Sequence, residues 1–378
     1  MVHYATSLGA SPGRGGYAEA MVAGRVVQRC RERLARLFNG TGPERFVFTL
    51  NCTDSICMAV HGLIQPMLRQ RQRVHLVATA MEHNSILRPF NTLRRDWGGL
   101  ADVTYVACDP RTGRVDAEAV ARALRAETRL VAVQHASNVT GVIQPVEEIV
   151  RLCRAAGVPT LVDAAQTAGH LPIDVRALGA EMVTFPGHKG LLGPSGTGVL
   201  YLAPGMEERI EPVRQGGTGG AAEGEFQPME MPMRYEAGTS NAIGIVGLSE
   251  GVAWVLRQGI ENIRRHESDI VERFLGTYGD GAAFPGLRLL GPKEPNQRLA
   301  VFSFACENVD PQEVAGLLED QYGILVRAGM LCAPRAQRAP GSEAGGGVMR
   351  ISFGPFNTLA EVDRVTAALR AVAAGTAG

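Results

Sequence analysis

Apolar positions along the chain change their period several times, and the changes divide it into elements. Over 18–39 apolar residues recur at helical spacing among arginines, which predicts an amphipathic helix closed by Gly40. The short apolar run 46–50 predicts a strand. Thr53 then opens a helix to about Gln65, where Pro66 is expected to stop it. Further strands are predicted over 73–79, 103–106, 129–134, 159–163, 182–185 and 198–202, with helices over 116–126 and 146–156. Strands alternating with helices imply an α/β class with a mainly parallel sheet covered on both faces. After the loop 216–224 and the segment 235–241 the pattern changes. Residues 243–278 are helical throughout; a strand over 298–305, a helix over 311–322, strands over 324–326 and 348–353 and a helix over 359–373 follow. These predict a smaller α+β lobe, in which the glycine patch 345–347 is expected to be a mobile loop.

Composition narrows the functional classes. The 378 residues include 38 basic and 38 acidic side chains, a balance that argues against a general nucleic-acid binder. No apolar window has the length of a membrane span, and residues 1–16 lack the pattern of a signal peptide, so a cytoplasmic protein is expected. The seven cysteines are odd in number and scattered, without a C-x-x-C pair, which argues against a disulfide framework or a metal site. Only Lys189 and Lys293 are lysines; every other basic residue is arginine. Arginine stays charged, whereas a desolvated lysine can become a neutral amine nucleophile. Lys293 sits in a Gly-Pro-Lys-Glu-Pro turn. Lys189 sits in the Gly-rich run Phe185-Pro186-Gly187-His188-Lys189-Gly190, where the backbone can approach a cofactor closely.

Five other strings carry candidate chemistry, each beside a plainer reading. Asp163, at the end of an apolar strand, suits a partner for a protonated ring nitrogen, and equally a helix cap. Cys52 and Thr53 open a helix, as an anion site or as capping alone. His83 follows a strand and suits ring stacking, or is a loop histidine. Cys332, in Arg327-Ala328-Gly329-Met330-Leu331-Cys332-Ala333-Pro334, is a reactive thiolate or a buried loop cysteine. Arg350 lies inside an apolar strand, where it binds a carboxylate or forms a structural ion pair.

Taken in order, these strings resemble the class V aminotransferase family, and within it the cysteine desulfurases and selenocysteine lyases. The resemblance runs from about Gly13 to Leu369. It is carried by Asp163-Ala164-Ala165-Gln166, Gly187-His188-Lys189, Glu236-Ala237-Gly238-Thr239 and the string from Arg327 to Pro334. It implies fold type I of the pyridoxal-phosphate (PLP) enzymes. Residues 14–244 would form a large PLP-binding domain with a seven-stranded, mainly parallel sheet. Residues 245–378, with 1–13, would form the small domain carrying the cysteine loop. Lys189 would hold PLP as a Schiff base, Asp163 would face the pyridinium nitrogen and Gln166 the ring hydroxyl, and His83 would stack on the ring. Cys52, Thr53 and His188 would lie at the phosphate, with Thr239 reaching the phosphate of a partner subunit in a homodimer. Asn138 would touch cofactor or substrate. Arg350 and Arg327 would bind the substrate, with Arg350 on its carboxylate, and Cys332 would accept sulfur.

The implied function is a PLP-dependent cysteine desulfurase that converts L-cysteine to L-alanine, leaving a persulfide on Cys332 for a sulfur-acceptor protein. The alternatives are a selenocysteine lyase or other C–S lyase, or a non-catalytic PLP-binding relative. Three departures bear on it. Pro186 stands where a phosphate-contacting Ser or Thr is usual. Leu331 stands where a histidine commonly precedes the cysteine. The N-terminal strand and Asp-Asn-Ala-Ala-Thr segment typical of the family are missing.

Overall fold

The computed structural model describes all residues except 14, 220–223, 308, 340–345 and 377–378. Part of the loop expected at 216–224 and the first glycine of the 345–347 patch therefore lie outside the described residues. Helix α1 (Ala18–Leu37) leads into strand β1 (Phe46–Thr49). Then follow α2 (Cys52–Arg69), β2 (Val74–Thr79), α3 (Asn84–Asp96), β3 (Ala101–Val106), α4 (Ala117–Arg122), β4 (Thr128–Gln134) and α5 (Val146–Ala155). The first lobe closes with β5 (Thr160–Asp163), α6 (Val175–Leu178), β6 (Met182–Pro186) and β7 (Gly198–Leu202).

The 7-stranded sheet has the order β1-β7-β6-β5-β4-β2-β3. Its strands run parallel except β7, which is antiparallel to both neighbours. The expected mainly parallel α/β sheet is therefore present. Both faces are covered, which explains the nearly unbroken apolar strands. Val131 and Val133 of β4 enter the core with α1 and α5, while Leu130 and Ala132 enter the core with α2 and α3.

The rest of the chain contributes α7 (Ala242–Gln258), α8 (Ile260–Tyr278), β8 (Leu287–Leu290), β9 (Val301–Cys306), α9 (Pro311–Tyr322), β10 (Arg327–Gly329), α10 (Pro334–Arg338), β11 (Val348–Ser352) and α11 (Leu359–Thr376). Its 4-stranded antiparallel sheet has the order β10-β11-β9-β8. Phe302, Phe304, Met349 and Ile351 pack on α8 and α11 through Ile270, Phe274 and Leu369. The alternate residues Ser303 and Arg350 turn to the first lobe. There Ser303 Oγ donates to the Val139 carbonyl and Arg350 Nη1 donates to the Asn138 carbonyl at 2.9 Å.

Several boundaries differ from expectation. Helix α2 passes through Pro66 to Arg69 because the Gly62 carbonyl, which Pro66 cannot serve, accepts the Glu211 N–H at 3.0 Å. The helix expected over 243–278 is two helices, broken at Gly259, whose φ of 81° favours glycine. No strand forms at 324–326, because the Ile324 N–H closes the end of α9 on the Leu318 carbonyl; pairing with β11 begins at Arg327. β9 starts at Val301 rather than at Arg298. Arg298 is fully buried and donates to the Pro292, Thr140 and Val301 carbonyls, tying the lobes together. Burial pushes its pKa down to about 9. Helix α3, containing Pro89, and the short strand β8 have no counterpart among the expected elements. Among the described residues no helix is long and apolar enough to cross a membrane, and no group of three or more His, Cys, Asp or Glu is placed to hold a metal ion.

Candidate functional site

The parallel strands of the first lobe deliver their polar residues to one rim, outside their carboxyl ends, where open α/β sheets bind ligands. Thr49 of β1 leads to Cys52 and Thr53, β2 to His83, β4 to Asn138, β5 to Asp163 and Gln166, and β6 to His188 and Lys189. All of these except Thr49 line one pocket of about 230 Å3. A second pocket shares His83, Asn138, Gln166 and Lys189 with it and adds Arg327, Cys332 and Arg350 from the second lobe. The fold thus gathers every expected site residue except Thr239. That residue is exposed in a separate concavity beside Phe48, Arg214 and Asn241. The segment before it is anchored by Glu236, which binds Arg31 through both oxygens, at 2.8 and 2.6 Å, and accepts the Phe48 N–H at 2.6 Å.

Lys189 is open to the water of the pocket yet walled by protein. Burial pushes its ammonium pKa down, and Arg350 adds to this, while Asp163, Cys52 and Cys332 oppose it. Asp163 is buried, accepts the Ala165 N–H at 2.9 Å and has no cationic side chain in ion-pair contact among the described residues. Cys52 Sγ donates to Asp163 Oδ1 at 3.6 Å, and burial, reinforced by Asp163, keeps this thiol protonated. An anion at this helix start would therefore meet backbone N–H groups rather than the Cys52 side chain. Asn51 already caps Asp54 N–H at 3.0 Å.

His83 caps α3, with Nδ1 accepting the Ser85 N–H at 3.1 Å. Burial lowers its pKa, helped by Lys189, Arg88 and Arg327 and opposed by Asp163, so the ring is neutral and free to stack. Beneath it Glu82 is fully buried and accepts the Gln134 N–H at 2.9 Å. Burial pushes its carboxyl pKa up to about 8.

In the second lobe Arg327 and Arg350 stand opposite each other in the β10–β11 register. Among the described residues neither has a carboxylate partner, and the buried Arg350 Nε has no hydrogen-bond partner. Two adjacent guanidinium groups facing a cleft can receive an anion such as a carboxylate. Arg327 Nη2 also approaches Cys332 Sγ at 3.9 Å, and the Cys332 carbonyl accepts the Asn84 N–H at 2.8 Å, docking the cysteine loop onto the first lobe. Cys332 is half-buried and lines the cleft, whereas Cys30, Cys153 and Cys306 are buried. Burial raises those thiols to about 12, about 12 and about 11, and they are inert. Leu331 is buried in the core with Ala333 and Ala336, so its side chain packs there instead of serving the cleft. Pro186 lines the first pocket and has no N–H to donate.

Two titratable residues of the second pocket belong to no sequence motif singled out above. His170 follows the Gln166 turn, and its Nδ1 lies 2.6 Å from Glu267 Oε1 on α8. The signal for Glu267 is its place on the apolar stripe of α8, with Ile263, Ile270 and Phe274.

The sequence matches the family model described as aminotransferase class V over residues 1–365. A protein of Methanothermobacter thermautotrophicus described as a probable cysteine desulfurase is 35% identical over 375 residues, covering 99% of this chain and 90% of that one. A cysteine desulfurase of Yersinia pestis is 30% identical over 366 residues, covering 95% and 85%. The apo structure of a cysteine desulfurase from Thermococcus onnurineus superposes with a TM-score of 0.90 at 30% identity, covering 99% and 90%.

Proposed function

The chain belongs to the class V aminotransferase family, and from that premise we propose that it is a PLP-dependent cysteine desulfurase. The observation that carries the reading is a single cleft holding a desolvated lysine, a buried aspartate with no ion-pair contact among the described residues, paired arginines and an accessible thiol. The residues fit PLP. Asn138 Oδ1 is buried in the pocket wall without a partner among the described residues, Asp163 faces Lys189 electrostatically, and an 18-residue helix points its start at the pocket.

Bound PLP supplies an aldehyde for imine formation and a pyridinium ring that draws electrons from Cα. Lys189 Nζ would hold it, Asp163 would keep the ring nitrogen protonated, Gln166 would serve the ring hydroxyl and His83 would stack on the ring. The N–H groups of Cys52 and Thr53, with His188, would receive the phosphate. Asn138 would contact cofactor or substrate. Arg350, with Arg327, would bind the carboxylate of L-cysteine. This fixes the amino acid between Lys189 and Cys332. Lys189 Nζ would then move the Cα proton. The Cys332 thiolate would attack the substrate sulfur: an S–S bond forms, the Cβ–S bond breaks, and after protonation L-alanine leaves. The persulfide on Cys332 then passes its outer sulfur to an acceptor protein. The reading includes a cytoplasmic homodimer in which Thr239 reaches the partner's phosphate, and the division into domains 14–244 and 245–378 with 1–13.

The test supplies L-cysteine and L-selenocysteine separately to wild type and Cys332→Ala and measures alanine with sulfide or selenide. Alanine from L-cysteine should depend on Cys332. Unchanged alanine from L-cysteine in the variant would overturn the persulfide route, and no alanine from either substrate would overturn the activity.

A further inference from the structure

His170 and Glu267 form a pair across the lobes that the proposed reaction leaves unused. Glu267 is 1% exposed, and its one hydrogen-bond partner among the described residues is His170 Nδ1 at 2.6 Å. A carboxylate on Nδ1 fixes the tautomer and leaves Nε2 as the basic atom. Nε2 has no partner among the described residues, and His170 lines the second pocket with Lys189, Arg350 and Cys332. The ring edge lies against the backbone next to Lys189: a Cβ on Gly190 would come 2.5 Å from His170 Cδ2 and 2.6 Å from Nε2. A Cβ on Gly169 would come 2.2 Å from the Gly190 carbonyl oxygen, so the two turns are packed backbone to backbone. The imidazole is thus oriented by a buried carboxylate, open to the cleft and fixed beside the lysine turn.

We propose that His170 is the group that deprotonates the incoming amino acid, an inference that rests on the function proposed above. An amino acid enters as its ammonium form, and only the free amine is a nucleophile. One substrate N–H bond breaks and an Nε2–H bond forms on His170. The resulting imidazolium is balanced by the Glu267 carboxylate, and the proton leaves to solvent through the cleft. No oxidant or second reactant is needed. The charged and titratable groups around the pair are Arg264 on α8, Lys189 and His188 on the lysine turn, His83 on the opposite rim, and Arg327, Arg350 and Cys332 of the second lobe. Among the described residues the carboxylate of Glu267 is the one titratable group hydrogen-bonded to the imidazole.

The test follows the visible band of the PLP-loaded protein after mixing with L-alanine, a binding step without sulfur chemistry, between pH 7 and 9. Wild type should respond at a nearly constant rate. His170→Gln should respond slowly at pH 7, with a rate climbing towards tenfold per pH unit as the free amine fraction grows. Glu267→Gln should be slowed in the same direction. In PLP-free wild type a low-field Nδ1–H proton resonance should be present, and it should be lost in both variants, with melting temperatures reporting that the variants fold. A His170→Gln protein that folds and keeps wild-type rates and a flat profile overturns the inference. So does the absence of that resonance from the wild type. If the wild-type band never responds to any amino acid, the proposed function fails instead, which is a separate outcome.

Discussion

On the first-lobe wall of the cleft Cys52, His83, Asn138, Asp163, Gln166 and Lys189 all stand within four residues of the carboxyl end of a strand in one sheet. On the facing wall Arg327, Arg350 and Cys332 come from two strands and a loop of a different sheet, held against the first lobe by Arg350 on the Asn138 carbonyl and Asn84 on the Cys332 carbonyl. The first wall is positioned by strand pairing inside one core. The second is positioned by contacts between lobes. The residues proposed to hold the cofactor can therefore be perturbed separately from those proposed to bind the substrate and take its sulfur.

The largest separation is expected for Lys189→Ala. Turnover should fall by about 10^3-fold or more, the scale of a lost proton-transfer group. Alkylation of Cys332 by a neutral reagent should change only a fewfold, because Lys189 acts on the thiol electrostatically and does not position the second wall. A parallel loss of Cys332 reactivity would show that the two walls are one unit.

Glu82 tests how deeply the first wall is built on burial. Its folded pKa is raised from 4.5 to about 8, so between these values the unfolded chain has lost a proton that the folded one keeps. Stability from this group is full below about pH 4.5 and is lost as pH rises through about 8, a change on the order of a few kcal/mol. Denaturant titrations should show that slope in wild type and lose it in Glu82→Gln. Arg350→Gln addresses the second wall. KM for L-cysteine should rise about 10- to 100-fold, the loss of a charge-assisted pair, with PLP affinity unchanged in equilibrium dialysis. The smallest effect is expected for Pro186→Ser. A hydroxyl and an N–H at this rim position should tighten PLP about fivefold and leave KM for cysteine alone.

The same comparison explains what was legible in the sequence. Asp163 and Lys189 were visible because an apolar strand followed by a charged or Gly-rich turn is a local pattern, and the sheet brings such turns together automatically. Their chemical roles became specific only through the order of motifs along the chain. Glu267 was not legible as a site residue, since its partner His170 lies on the other lobe. The passage of α2 through Pro66 was hidden for the same reason: the bond that permits it comes from Glu211, remote in sequence. The division of 243–278 was legible in principle, because Gly259 interrupts the helical pattern, but only the backbone angle shows that it breaks the helix. Leu331 is a further case. Its position, where a histidine commonly precedes the cysteine, does not tell which way the side chain turns; packing with Ala333 and Ala336 puts it in the core.

The central claim is that a lysine on one wall and a thiol on the other act on the same amino acid. The most direct measurement is peptide mass spectrometry after incubating the PLP-loaded protein with L-cysteine in the absence of reductant, with alanine counted in the same sample. The account predicts a gain of one sulfur atom on the peptide containing Cys332, matched by one alanine per chain, and neither product in Lys189→Ala. Alanine formed while Cys332 stays unmodified, or sulfur found on another of the seven cysteines, would contradict it.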